Sequence, residues 1–204
     1  MVLFVAAATS DAAQPPPQDL RFDIIRKNEV VGHHQITFRQ DGDNLVVHSE
    51  LKIAVQELTV TVFRYEQTRD EVWRGQKLVA LASVANDDGT RYDIKGKAGP
   101  SGLNVISGDQ TWTLPPDSLP ASYWNLSMVT GKSPLVDAQS GRILPARAVK
   151  IGREAIKVRG KDVDATHYRL GTRQPPDIWY DASGRWVKMR AVGRDGSVAE
   201  WVLK

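Results

Sequence analysis

Residues 44–55, NLVVHSELKIAV, and residues 59–73, TVTVFRYEQTRDEVW, decide the fold class. In the first, Leu45, Val47, Leu51, Ile53 and Val55 fall on one side of an extended chain, and His48, Glu50 and Lys52 on the other. That is the period of two of a half-buried strand. The second is rich in β-branched and aromatic residues. It puts Phe63, Tyr65, Glu71 and Trp73 on one face and Arg64, Glu66 and Asp70 on the opposite one.

The same pattern extends outward in both directions. KLVALASVA (77–85) runs into NDDGT (86–90), whose Asp-Gly pair marks a tight hairpin, and RYDIKGKA (91–98) leaves it. GLNVIS (102–107) and QTWTL (110–114) form another hairpin candidate. Further on, HYRLG, DIWYD, RWVKMRAVG and VAEWVL are separated by TRQPP, ASG and RDG, turn chemistry with glycine where a left-handed residue is wanted. About a dozen strands joined by short turns favour antiparallel neighbours, because a parallel crossover needs far more chain. So many strands curl or close, which hides edges and leaves a concave face. The expected fold is a mainly all-β, large curled antiparallel sheet, a half-barrel or barrel, with one short helix.

That helix falls in the one stretch that breaks the pattern, LPASYWNLSM at 119–128. The stretch reads as a short helix or loop near 118–130; Ser118 could cap a helix there, and Pro120 suits an early helical position. The segment would lie over the concavity as a lid.

The 204 residues carry 27 Lys and Arg against 24 Asp and Glu, a net charge of +3 with both signs interspersed. No single-sign block suggests a nucleic-acid arm. Cysteine is absent, which excludes disulfides, zinc–thiolate sites and Cys nucleophiles. VLFVAAATSDAA (2–13) is apolar, then small, and reads as the end of a secretory signal that lacks its basic start. It is too short to span a bilayer. The expected organisation is a truncated signal peptide over 1–13, a Pro-rich lead-in over 14–19, and a single β-rich domain over 20–204. The compartment is then periplasmic or extracellular. Oligomeric state has no signature.

Several spaced stretches together resemble a known pattern: FDIIRKNEVVGHHQITF (22–38), YEQTRDEVW (65–73), NDDGT, ASYWN (121–125), DIWYDASGRWVKM (177–189) and DGSVAEWVL (195–203). The set is similar to an uncharacterised family of secreted proteobacterial proteins. More distantly, it resembles the curled antiparallel sheets of the LolA and LolB lipoprotein carriers. The resemblance covers Phe22 to Leu203 and implies a secreted β-rich single domain. It transfers no catalytic residue, and fold-level similarity does not fix function.

Candidate chemistry is sparse. His33 and His34 are adjacent in a strand and point to opposite faces, and no regular spacing joins them to His48, His167, Glu50 or Asp164, so no metal site is expected. NDDGT lacks the spaced carboxylates of a calcium loop. Ser122, Ser183 and Ser197 have no nucleophile-elbow frame, and no glycine-rich phosphate loop is present. No cofactor is expected. Glu71 among aromatics has the setting of a general acid, or of an ion-paired carboxylate. The aromatics suit the wall of an apolar pocket. The leading reading is therefore a binding or carrier protein that holds an apolar or amphipathic small molecule or lipid on the concave face. Tyr123, Trp124 and Asn125 would belong to the lid, and Arg64, Glu71, Trp73 and His48 to the sheet. An enzyme using a carboxylate–His pair in the same concavity is the alternative. An interaction module pairing through a sheet edge is a third reading.

Overall fold

The computed structural model describes residues 17–58 and 60–204. The signal-like segment 1–13 and the start of the Pro-rich lead-in lie outside these residues. The strands are β1 (Leu20–Arg26), β2 (Glu29–Asp41), β3 (Asn44–Glu57), β4 (Val60–Arg74), β5 (Lys77–Asp87), β6 (Thr90–Gly99), β7 (Gly102–Ser107), β8 (Gln110–Leu114), β9 (Leu119–Pro120), β10 (Leu135–Val136), β11 (Ile143–Leu144), β12 (Ala148–Val158), β13 (Lys161–Leu170), β14 (Asp177–Asp181), β15 (Trp186–Val192) and β16 (Val198–Leu203). The helix α1 spans only Ser127–Thr130.

Turn chemistry fixes the hairpins. Lys27 and Asn28 between β1 and β2, Asp88 and Gly89 between β5 and β6, and Arg159 and Gly160 between β12 and β13 all have positive φ. Two successive left-handed residues make the tight loop whose twist matches that of the flanking strands.

Thirteen strands form one antiparallel sheet in the order β12-β13-β14-β15-β16-β1-β2-β3-β4-β5-β6-β7-β8. Every neighbour is sequence-adjacent except β16 and β1, where the two ends of the sheet-forming chain pair, Phe22 opposite Leu203. The outermost strands are therefore β8 and β12, which follow one another in sequence apart from three two-residue strands and the helix. The segment 115–147 must travel from one edge of the sheet to the other.

The sheet is curled. Arg194, in the turn before β16, places Nη2 2.5 Å from Oδ2 of Asp87 at the end of β5. These strands are five spacings apart, about 24 Å on a flat sheet at roughly 4.8 Å each. Only a strongly rolled sheet brings them together. It does not close, since β8 and β12 are not paired.

The segment 115–147 crosses on the inside and fills the roll. Leu119, Met128, Val129, Leu135 and Val136 are buried in the same cluster as Phe22, Ile24, Val47, Trp73, Ile178 and Trp186 of the sheet. Within the segment, β10 pairs with β9 in parallel and with β11 antiparallel. The helix is thus shorter than the 118–130 span expected from sequence. Pro120 lies in a strand bridge with Val136, not in a helical first turn. Ser118 caps nothing: its hydroxyl is buried without a partner. Asn125 takes the cap's role instead, its Oδ1 accepting from the Ser127 N–H at 3.0 Å. Tertiary packing against the sheet overrides the local helix signal.

Trp186 is fully buried, its ring 4.1 Å from Phe22, 5.4 Å from Tyr123 and 5.5 Å from His34. It is where sheet and inner segment meet. Trp186→Ala should cost about 3–5 kcal/mol in chemical denaturation, as for other buried aromatics. A loss below about 1 kcal/mol would mean that the inner segment repacks freely.

Candidate functional site

Successive residues of a strand alternate between its faces, so β4 sends Arg69, Glu71 and Trp73 inward and Arg64, Glu66 and Asp70 outward. The inward set meets the inner segment at Glu71, which is 1 % exposed. Its Oε2 accepts from Trp73 Nε1 at 2.8 Å and from Trp124 Nε1 at 3.2 Å. Its Oε1 accepts from the hydroxyl of Ser122. Arg69 Nε lies 2.8 Å from the same oxygen but out of line with it, and makes no hydrogen bond of its own. A buried carboxylate is tolerated only when paired and hydrogen-bonded, and Glu71 is both.

Around it runs a polar stripe across the concave face. Ser49, Arg69 and Ser83 are direct cross-strand neighbours on β3, β4 and β5, and all are buried. His34 Nε2 lies 2.9 Å from Ser49 Oγ. Burial, with the Arg69 charge beside it, lowers the His34 pKa to about 3, so the ring is neutral in the folded protein near neutral pH. Tyr123 packs on Trp186 and is also near Arg69; burial raises its phenol pKa.

The structure therefore brings Tyr123, Trp124, Glu71 and Trp73 together inside the roll. Trp124 packs edge-on against Trp73 (5.7 Å) and Phe38 (5.2 Å). Asn125 is spent on the backbone of α1. Arg64 and His48 do not join them, because both stand on the outer face. His48 Nδ1 is 2.7 Å from Asp70 Oδ1, and that hydrogen bond raises its pKa. Arg64 borders an open outer groove of about 550 Å³ between β2, β3 and β4, together with Lys52, Ala54, Gln56 and Glu66. That groove is the larger of the two depressions described here. It lies on the convex side, lined mostly by polar side chains, and has no aromatic wall.

The second depression lies where the inner segment stops short of the sheet. It has about 360 Å³ and is lined by Leu126, Arg153, Thr166, Tyr168, Tyr180, Asp181, Ala182 and Gly184. Thr166 pairs with Tyr180, and Tyr168 with Ile178, so these side chains share the concave face of β13 and β14. Tyr180 Oη donates to the carbonyl of Tyr123 at 2.8 Å, which fixes the lid against this wall. Tyr168 stands edge-on to Tyr180 at 5.9 Å. The chain's pattern marks Tyr168 and Tyr180 as strand aromatics. It gives no signal for Leu126 or Arg153, which become neighbours only through the crossing of residues 115–147.

The opposite face of β13 and β14 holds a different cluster. His167 stacks on Trp179 at 4.4 Å, with Nδ1 3.1 Å from Glu154 and Nε2 2.9 Å from Asp177. Trp179 Nε1 donates to Glu154 at 2.7 Å. Asp177 also receives Arg169 and Arg190, each at 2.8 Å. Burial acts to raise the Asp177 pKa, but the hydrogen bonds from Arg169, Arg190 and His167 outweigh it and hold the carboxyl well below the usual range. Among the described residues, no group of three or more His, Cys, Asp or Glu side chains is placed to hold a metal ion. No helix among them is long and apolar enough to cross a membrane.

With this geometry in view, the chain can be set beside known proteins. Residues 22–204 match the model of a family described as a domain of unknown function, DUF6134. No curated protein matches the chain. Among solved structures it is similar to a β-barrel-like protein of the domain of unknown function DUF1849 from Brucella abortus. The TM-score is 0.63 and the identity 9 %, and the alignment covers 91 % of this chain and 94 % of that one. At that identity the likeness is one of fold.

Two outcomes follow from the buried polar groups. Glu71→Ala leaves both indoles and the Ser122 hydroxyl without their acceptor, and the Arg69 guanidinium without its charge partner. It should cost about 3–5 kcal/mol in urea unfolding, the range for breaking a buried charged pair. A cost under about 1 kcal/mol would show that the segment is held by apolar packing alone. His34 has a folded pKa below that of the unfolded chain. Between about pH 6.5 and about 3 the unfolded state binds the extra proton, so stability falls as pH drops through that window, by up to ~1.4 kcal/mol per pH unit. His34→Gln should flatten this slope relative to wild type, and an unchanged slope would show that other groups dominate.

Proposed function

The chain belongs to this family of unknown function, and we propose from its own geometry that it is a binding or carrier protein for an amphipathic small molecule or lipid. The cleft beside Leu126 carries this reading. It lies on the concave face, between the lid and the sheet. Its volume is within the span of roughly 300–1,000 Å³ common for small-molecule pockets. Tyr168 and Leu126 offer apolar surface, with Tyr180 buried behind them; Arg153, Thr166 and Asp181 offer polar groups at the rim. An amphipathic ligand would bury its tail against Tyr168 and Leu126 and leave its head beside Arg153. The β-barrel-like fold supports the reading, since rolled sheets suit ligands in their concavity. The apolar, then small-residue stretch at 2–13 supports a place in the periplasm or outside the cell.

The geometry favours binding over catalysis. His167 and Asp177 do converge within hydrogen-bond distance, as an acid–base pair would. However, His167 is clamped between two carboxylates and stacked on an indole. Asp177 is engaged by two arginines, and the cleft lies on the other face of the strands. Glu71 has its acceptors taken up inside the core.

Titration with a dansyl-labelled medium-chain fatty acid tests the proposal. Wild type should bind with saturable fluorescence enhancement. Tyr168→Ala should weaken binding about tenfold or more, as loss of a central aromatic contact does. Arg64→Ala, on the outer face, should leave it unchanged. No saturable binding, or equal losses in both variants, would overturn the assignment.

A further inference from the structure

The two edges of the sheet are treated differently. The β8 edge is five residues long and has the inner segment against it. Trp112 Nε1 donates to Gly141 O at 3.0 Å, Arg142 donates to Gln110 at 2.7 Å, and the Arg142 guanidinium sits 4.6 Å from the Trp112 ring. The β12 edge is eleven residues long; helix α1 lies against this strand, but among the described residues no strand pairs with its outer side.

The register tells which groups it presents. Arg159 and Gly160 form a two-residue loop, so the closing pair Val158 and Lys161 exchanges both hydrogen bonds. Alternation then turns the backbone of Ile156, Glu154 and Gly152 toward β13. Arg153, Ala155 and Lys157 turn their N–H and C=O groups to the open side. A bulge at Lys150 to Gly152 ends this regular run. Ile151 within the bulge and Val149 beyond it are 50 % and 58 % exposed.

The side chains along this edge are basic. Lys150, Arg153 and Lys157 lie on β12, and Arg159 in its turn. Lys157 meets Asp162 at 2.8 Å, both largely in solvent, a contact of little strength. The strand's single acid, Glu154, is turned toward Trp179 and His167. Self-pairing is disfavoured: two copies joined antiparallel about Ala155 would set Arg153 against the partner's Lys157, and like charges directly opposite destabilise a sheet.

We propose that the open edge of β12 is a docking strand for an extended peptide segment in which acidic residues alternate with apolar ones. The outward N–H and C=O groups of Arg153, Ala155 and Lys157 supply the ladder. The acidic side chains lie beside Arg153 and Lys157, and the apolar ones beside Ile156 on the opposite face. This is strand addition, in which main-chain bonds give affinity and alternate side chains give specificity. It stands apart from ligand binding in the cleft, although Arg153 borders both.

The test uses a synthetic peptide of alternating glutamate and valine, with a lysine–valine peptide as control. Amide exchange followed by NMR on the full chain should show new protection at Arg153, Ala155 and Lys157. The amides of Gly152, Glu154 and Ile156, already bonded to β13, should change little. The double variant Arg153→Glu, Lys157→Glu should lose about tenfold in affinity for the acidic peptide and gain for the basic one, as expected for two reversed cross-strand pairs. Ala155→Pro removes one outward N–H at an edge position where proline is tolerated. It should weaken the peptide while binding the dansyl fatty acid as wild type does, which separates this site from the cleft. Equal affinity for both peptides, or protection elsewhere, would overturn the proposal. So would a dimer that protects the same three amides without peptide, because it would assign the edge to a second copy of the chain.

Discussion

The carboxylate of Glu71 joins two parts of the molecule that packing alone would leave interchangeable. An apolar concave sheet accepts many apolar segments in many registers. A buried charge does not, because it must find its donors in one arrangement. Trp73 comes from the same strand as Glu71, two residues along, so half of the site is preset by β4. The inner segment supplies the rest, from Ser122 and Trp124. Displacing that segment by one residue would leave an ionised group in the core without those donors. This is how a long irregular crossing acquires a single position.

The crossing itself follows from the pairing of β1 with β16. Once the ends of the sheet-forming chain are neighbours, a meander of hairpins can be interrupted only between its two outer strands. The connection could have run outside the roll. Its residues decide otherwise: Leu119, Met128, Val129, Leu135 and Val136 are buried, and the inward faces of β3, β4 and β5 offer the apolar surface and polar stripe that match them. Filling from within also answers a size problem. A rolled sheet this wide has more interior than its own side chains fill, so the inner segment is part of the core.

Much of the sheet was legible in the sequence because its rules are local. Period-two runs such as 44–55 assign faces residue by residue, and the Asp88-Gly89 pair sets its turn. The Arg159-Gly160 turn carries no such marked pair and emerges only in the structure. Glu71 and Trp73 on one face and Arg64 on the other follow from counting alone. What counting cannot supply is which face becomes concave and what comes to lie on it. The chemistry of His48 and Arg64 suits the sheet wall of a pocket, yet they stand on the outer face, where their alternation with Val47 and Tyr65 puts them. One short helix does form in this stretch, but it begins later than Ser118 for a related reason. Ser118 and Pro120 carry good local signals, but burial of Leu119 and Pro120 beside β10 makes a strand the better use of the same residues. Leu126 and Arg153 meet only through the crossing, so no local pattern could announce the cleft.

Strand β14 shows why the cleft lies where it does. Asp177, Ile178, Trp179 and Tyr180 are all buried, so this strand is covered on both faces, unlike a typical strand of an antiparallel sheet. On the outside, Trp179 lies between the His167 ring and the Lys188 ammonium, with Glu154 accepting from its indole. That cluster anchors β13 and β14 without help from the interior. The inner segment then stops short of them over part of this wall, where Tyr180 reaches the Tyr123 carbonyl and holds it. Elsewhere the roll needs its plug for cohesion. Here the sheet is held from its convex side, so the concave side can remain partly open without loss of order. Support from outside and space within are two consequences of the same alternation along β13 and β14.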